Sequence, residues 1–254
     1  MKYIVYILLF FPVWVTAQTY KYIGIEDGLS NRRIFNIQKD AQGYMWFLTN
    51  EGMDRYNGKD IKHYKLNKEG NTLDAPIRLG WLYTEPHIGI WVIGKQGRIF
   101  QYDANKDDFR MVYRLPDTSE TISCGYLDRN NNIWLCRKDT ILLYNIKDAR
   151  IFQFSNIFHT SITAIEQVDE HHFFIATETG VRYVKLENDI LEIIPVETLD
   201  YFHAQVSELY FHQQLKRLFI GSFERGVFVY DTNTQEIIRP DADLSDVNIA
   251  CISP

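Results

Sequence analysis

Cysteine is scarce in this chain: Cys124, Cys136 and Cys251 are the only three in 254 residues, too few for a disulfide-stapled scaffold. Cys124 and Cys136 flank the turn 129–132 symmetrically. They could face each other across a hairpin, but cross-strand bridges are strained, and both read as small buried hydrophobes. Charge of one sign is not concentrated anywhere. With 27 basic and 33 acidic residues spread along the chain, there is no electrostatic footprint for nucleic acid or an anionic membrane surface. Beyond the N-terminus no apolar run approaches the ~20 residues needed to cross a bilayer.

Catalytic signatures are missing as well. There is no Gly-x-Ser-x-Gly elbow, no His-Glu-x-x-His and no phosphate-cradling glycine loop. The pair His171–His172 would point to opposite sides of a strand, and no Cys/His/carboxylate cluster lies near it in sequence, so it reads as a solvated turn rather than a metal site. No cofactor and no metal are expected. Scattered Asp and Glu side chains could pair across the fold as they do in glycosidases, and spacing leaves that open. The expectation is a segment without enzymatic activity.

The N-terminus carries an address. Lys2 precedes an apolar run from Tyr3 to Val15, and Val15-Thr16-Ala17 offers small residues where a signal peptidase reads. Residues 1–17 read as a signal peptide cleaved before Gln18, with an uncleaved anchor as the alternative. Either reading takes the bulk of the chain out of the cytoplasm.

The strongest positive signal is repetition. Tyr44-Met45-Trp46-Phe47-Leu48-Thr49 is echoed by Gly89-Ile90-Trp91-Val92-Ile93-Gly94, Asn132-Ile133-Trp134-Leu135-Cys136, Phe173-Phe174-Ile175-Ala176-Thr177 and Leu218-Phe219-Ile220-Gly221-Ser222. The aligned aromatics Trp46, Trp91, Trp134, Phe174 and Phe219 are 45, 43, 40 and 45 residues apart. Self-similarity at that period marks four-stranded propeller blades. Unit one shows the grammar: alternating Ile34 to Ile37, turn residues Asp40-Ala41-Gln42-Gly43, an apolar strand from Tyr44 to Thr49, a turn at Asn50-Glu51-Gly52, a strand from Met53 to Tyr56, the hairpin signal Asn57-Gly58, and a strand from Ile61 to Tyr64.

These signals predict an all-β chain: a β-propeller of four-stranded antiparallel blades. An N-terminal strand segment is expected over 18–28 and blades over 29–254, divided as 29–76, 77–121, 122–160, 161–204 and 205–245, with a partial sixth at 246–254. About five complete blades and the start of a sixth leave an apolar face open. The expectation is a truncated seven-bladed ring. A ring closed by pairing Tyr20-Lys21-Tyr22-Ile23 beside the last strands is the alternative. Because the tryptophans recur at one blade position, they are assigned to packing between blades rather than to a ligand.

Ile25-Glu26-Asp27-Gly28-Leu29-Ser30, continuing through Asp40-Ala41-Gln42-Gly43-Tyr44-Met45-Trp46-Phe47 to Asn50-Glu51-Gly52-Met53-Asp54-Arg55-Tyr56-Asn57-Gly58, resembles the two-component regulator propeller repeat. It is similar in particular to the opening of the periplasmic sensor region of Bacteroidetes hybrid two-component systems. That resemblance implies a periplasmic sensor built of blades, joined to the remainder of a receptor polypeptide that is anchored in the inner membrane and carries the kinase. It also implies an oligosaccharide ligand released from polysaccharide. A homodimer is left open, and the membrane is reached only through regions this chain lacks. The competing functions are a protein-interaction propeller, a truncated non-signalling fragment and, least favoured, a propeller lyase or hydrolase.

Antiparallel strands bring the start of each inner strand and the turn after each second strand to one end of the propeller. That end collects polar residues that differ from blade to blade, as ligand recognition requires. The candidates are Arg32, Arg33 and Asn50 from unit one, Arg78 and Lys95 from unit two, Arg137 from unit three and Arg225 from unit five. Trp81, outside the repeated aromatic column, is the candidate stacking surface.

Overall fold

The computed structural model describes residues 21–66, 79–117, 119–239 and 247–249. The expected signal peptide, Arg78, Cys251 and most of the partial sixth blade lie outside the described residues. Among the described residues twenty strands form five antiparallel sheets, each with its four strands in sequence order. Blade one is β1 (Ile34–Lys39), β2 (Met45–Thr49), β3 (Gly52–Tyr56) and β4 (Ile61–Tyr64). Blade two is β5 (Leu79–Glu85), β6 (Gly89–Gly94), β7 (Arg98–Asp103) and β8 (Asp108–Arg114). Blade three is β9 (Cys124–Leu127), β10 (Asn132–Cys136), β11 (Thr140–Asn145) and β12 (Ile151–Ser155). Blade four is β13 (Ile162–Gln167), β14 (His172–Thr177), β15 (Gly180–Glu187) and β16 (Ile190–Ile194). Blade five is β17 (Val206–His212), β18 (Arg217–Ser222), β19 (Gly226–Asp231) and β20 (Glu236–Ile238). One four-residue helix, α1 (Glu197–Asp200), leads into blade five.

The five blades stand around one channel lined by all five inner strands, β1, β5, β9, β13 and β17. The fold is thus a five-blade β-propeller. Alternation along the second strand of each blade divides its side chains between the two neighbours. Trp46 and Leu48 of blade one pack with Leu82, Ile90, Val92 and Phe100 of blade two. Trp91 and Ile93 pack with Ile133 and Leu135 of blade three. Trp134 and Cys136 meet Phe173 and Ile175 of blade four, and Phe174 and Ala176 meet Leu218 and Ile220 of blade five. Trp46, Trp91, Trp134 and Phe174 are essentially inaccessible, so the packing role read for the aromatic column holds at four positions.

The fifth position differs. Phe219 is only partly buried, and on the opposite side of the seam Ile37 of β1 is 50% exposed, whereas its register equivalents Leu82, Ile165 and Leu209 are buried. The seam between blades five and one is therefore less densely packed than the other four. Lys21, in the segment considered for closing the ring, instead donates to the Tyr56 hydroxyl of blade one. Val247 and Ile249 lie beside the turn between β18 and β19, through Gly226 N–H to Val247 O and Ile249 N–H to Ser222 O.

Two local devices fix the blades. In blades one and three an aspartate ahead of the second strand folds the turn and fastens the tryptophan. Asp40 accepts from the Gln42 and Tyr44 amides and from Trp46 Nε1 at 2.7 Å. Asp128 accepts from the Asn130 and Asn132 amides and from Trp134 Nε1 at 2.9 Å. In blade four Asp169 caps the same turn through the His171 and His172 amides and also bonds the His172 ring. The paired histidines thus lie at a turn, with His172 opening β14 and stacked on Tyr183.

The second device closes the turn after the second strand. Thr49, Thr177 and Ser222 are buried and donate their hydroxyls to Gly52, Gly180 and Gly226 carbonyls. At Gly180, φ is +154° and a Cβ would lie 2.3 Å from the Phe202 carbonyl oxygen, so only glycine admits the chain that leads into blade five.

Cys124 and Cys136 sit directly opposite one another in the β9–β10 ladder, both free and buried, in keeping with their reading as small hydrophobes. At the rim between blades one and two, Asp107 accepts from Tyr64, Tyr102, Arg55 and Lys62. These donors hold its carboxyl well below the usual carboxylate range.

Asp128→Ala orphans the buried Trp134 N–H and two turn amides, and should lower unfolding free energy in urea by about 2–3 kcal/mol. Asp169→Ala, in a blade whose column residue Phe174 has no N–H to fasten, should cost under about 1 kcal/mol in the same measurement. Gly180→Ala should lower it by at least ~2 kcal/mol through the clash with Phe202 O.

Candidate functional site

Register with the second strands sorts the channel-lining residues into two layers. Opposite the aromatic column stand Gln38, Tyr83, Tyr126, Glu166 and Tyr210. Two residues nearer the start of each inner strand stand Asn36, Trp81, Cys124, Ala164 and Glu208. No residue type recurs in all five blades in either layer. The channel volume is about 690 Å³, within the ~300–1,000 Å³ of small-molecule sites.

Backbone irregularity shapes the mouth. β1, β5, β13 and β17 each shift register at their start, between Ile34 and Asn36, Leu79 and Trp81, Ile162 and Ala164, and Val206 and Glu208. A bulge leaves one residue out of the ladder and re-aims its neighbours. The unpaired residues are Phe35, Gly80, Thr163 and Ser207. Phe35 is 40% exposed, and Thr163 Oγ1 is buried with no hydrogen-bond partner.

Of the residues expected from sequence, Trp81 lines the channel. It rests where a Cβ on Gly125 would come within 2.7 Å of the indole ring, so glycine on β9 lets the indole lie against the neighbouring blade. The exposed Lys95 places Nζ 6.0 Å from the Trp81 ring centroid. Arg32, Arg33 and Asn50 are exposed at the same end, with the Arg33 guanidinium over the Phe35 ring at 5.1 Å. That end is identified by bonds from each second-strand turn to the start of an inner strand, such as Ser30 Oγ with Thr49 Oγ1 and Phe223 N–H to Gln205 O.

Arg137 is 9% exposed and its Nη2 donates to the Asp117 carbonyl, which braces a loop. Arg225 is exposed, donates through Nη1 to the His203 carbonyl at 2.5 Å and lies over the Phe228 ring.

Sequence reasoning missed the interior. Glu166 and Glu208 are the acidic residues among the described channel lining. Burial pushes the Glu166 carboxyl up to about 7, with the neighbouring Glu208 charge adding to the rise and the Phe211 amide and Arg129 opposing it. Burial raises Glu208 as well, against one bond from the Leu209 amide. Tyr83 and Tyr126 are raised by burial. Tyr83 donates to Gly125 O at 2.8 Å, and Tyr126 Oη accepts from the Gln167 amide at 3.1 Å. An acid inside an otherwise apolar inner strand, in Ile162-Thr163-Ala164-Ile165-Glu166 and Val206-Ser207-Glu208-Leu209, is the sequence signal that identifies them. Among the described residues no group of three or more His, Cys, Asp or Glu is placed to hold a metal ion.

Residues 28–51, which span β1, β2 and the turn between them, match the family described as two component regulator propeller. No curated protein matches the chain. Among solved structures it is similar to the extracellular domain assigned to the hybrid two component system BT3049 of B. thetaiotaomicron, with 19% identity, TM-score 0.68, and coverage of 89% of this chain and 32% of that one. It is similar also to the extracellular domain of BT4673 from the same organism, with 17% identity, TM-score 0.62, and coverage of 86% and 28%. PorZ, a surface component of the type-IX secretion system of Porphyromonas gingivalis, follows with 12% identity, TM-score 0.58, and coverage of 80% and 33%. The chain spans about a third of the length of these structures, and at these identities the likeness is one of fold.

The Glu166 value above its ordinary 4.5 means that the folded chain keeps a proton the unfolded chain releases. The stability from that proton is complete below about pH 4.5 and is lost as pH rises through about 7. Glu166→Gln should flatten the pH dependence between 5 and 8, and be more stable than the parent at pH 8 by about 2 kcal/mol in urea titrations.

Proposed function

We propose that this chain is the ligand-reading propeller of an extracytoplasmic two-component sensor and that its ligand is an oligosaccharide. The observation that carries the reading is the contrast between wall and channel. The blade walls repeat Trp46, Trp91 and Trp134, whereas the second channel layer, Asn36, Trp81, Cys124, Ala164 and Glu208, has a different residue in every blade, and the layer opposite the column mixes a carboxamide, a carboxylate and three phenols. A mouth with an indole, a lysine, carboxamides and hydroxyls in Trp81, Lys95, Asn36, Gln38 and Thr163 suits a polyhydroxylated ligand with apolar ring faces.

The two-component setting is supported by the regulator-propeller segment at residues 28–51 and by the fold shared with two extracellular sensor domains. In this reading the chain is exported to the periplasm by residues 1–17, acts by binding and not by catalysis, and works with the remainder of a receptor polypeptide held in the inner membrane. The less densely packed seam at Ile37 and Phe219 supports a ring extended by further blades toward seven, since each blade is stabilised by burying both faces.

A glycan array probed with the purified chain tests this. Oligosaccharides should bind, and the surface change Lys95→Ala combined with Trp81→Ala should weaken the best of them at least tenfold. Arg137→Ala should leave affinity unchanged in a folded sample. Unchanged affinity in the Lys95/Trp81 variant would remove the site, and an array with no bound glycan would remove the function.

A further inference from the structure

We propose that the channel selects saccharides carrying a free amine, with the ammonium group held by Glu166 of β13 and Glu208 of β17. The inference rests on the oligosaccharide reading above and narrows it to a substrate class.

The channel interior differs from its rim. Among its described lining residues two are acids, on neighbouring inner strands, and none is a lysine, arginine or histidine. An uncompensated carboxylate in a confined space is costly, and the cost is removed by a cation that enters with its own ligand. The nearest base, Arg129, is committed elsewhere: its Nε and Nη2 donate to Gln167 Oε1 and to the Gln167 carbonyl.

Three further features favour an amine on a sugar over a bare metal ion. The volume of about 690 Å³ is far larger than an ion needs. Trp81, Tyr126 and Tyr210 line the same channel as the acids, and such rings attract organic cations and the apolar faces of pyranose rings. Thr163 Oγ1 lacks a partner and the Asn36 and Gln38 carboxamides line the same space, supplying the hydrogen bonds that hydroxyls require.

The groups facing Glu166 set the direction of the pH response. From β9 come Tyr126 and Cys124, and from the turn after it the committed Arg129; from β5, Tyr83; from β17, Glu208, Tyr210 and the Phe211 amide. β1 contributes only the neutral Asn36 and Gln38. Burial raises Tyr83 and Tyr126 above their ordinary value and raises both glutamates, Glu166 to about 7. Glu166 gains its charge as pH rises toward about 7, while an oligomer's pyranose amine, flanked by electron-withdrawing oxygens, gives up its proton over the same range, so carboxylate and ammonium coexist best near about pH 6.5.

Isothermal titration of the full chain with a β-1,4-linked glucosamine hexamer and with its fully N-acetylated counterpart provides the test. The amine hexamer should bind at least tenfold tighter than the N-acetylated one at about pH 6.5, and its affinity should fall on both the acid and the alkaline side of that value. Glu166→Gln/Glu208→Gln, confirmed as folded by circular dichroism, should lose the preference and the pH dependence while keeping weak binding of both hexamers. Equal affinity for the two hexamers, or a preference that survives in the double variant, overturns the inference and leaves the oligosaccharide reading standing. Failure of both hexamers while array glycans bind overturns it in the same way. Failure of every glycan overturns the reading and the inference together.

Discussion

An aromatic ring from the second strand of one blade, buried against the next blade, is the interaction on which the rest of this propeller depends. Trp46, Trp91, Trp134 and Phe174 each face the following sheet, and each stands among aliphatic or aromatic side chains of that sheet. A four-stranded sheet of about 40 residues cannot bury both faces alone, so each contact stabilises two blades. The indole N–H gives these rings a polar handle. Asp40 and Asp128 take it directly, and in blade two the Ile88 carbonyl accepts it from Trp91 at 2.9 Å. The turn before the strand and the packing after it are thereby fixed by one side chain.

Because that column sets the register of each blade, it also decides which inner-strand residues face the channel. Gln38, Tyr83, Tyr126, Glu166 and Tyr210 occupy one place in the blade, opposite the aromatic, as a carboxamide, a carboxylate and three phenols around the ring. Wall positions must be alike to pack, whereas channel positions touch mainly one another and a ligand. The same scaffold therefore tolerates acids, phenols and an indole at its centre. The half-buried Glu166 and Glu208 come at a stability cost that an apolar side chain would avoid, which makes them the interior feature that packing explains least.

Much of the architecture was legible from the chain. The spacing of Trp46, Trp91 and Trp134, the Asn57-Gly58 hairpin and the Asp-x-x-Gly turn before Trp46 are local signals, and each corresponds to a short-range physical cause. The packing role of the tryptophans followed from their repetition. The site was less legible. Trp81 stood out as an aromatic off the column, but its seat depends on Gly125, 44 residues later, whose missing Cβ leaves room for the ring. Arg137 had the same composition-level appeal as Lys95, and only its burial against the Asp117 carbonyl separates the two. Bulges at the start of four inner strands have no residue signature, yet they determine what faces the mouth. The carboxylates of Glu166 and Glu208 became informative only once five strands were brought around one axis.

The central claim is that likeness among blades holds the fold and unlikeness in the channel holds the ligand. Hydrogen exchange followed by mass spectrometry, on the chain alone and saturated with a bound glycan, tests it most directly. Without ligand, the slowest amides should lie in β2, β6, β10 and β14, the strands carrying the buried aromatic column. Ligand should add protection along β5, β9, β13 and β17 and in the turn at Lys95, and leave the outer strands β4, β8, β12, β16 and β20 unchanged. Ligand protection confined to outer strands, or fast exchange in the aromatic-bearing strands of the free chain, would contradict the account.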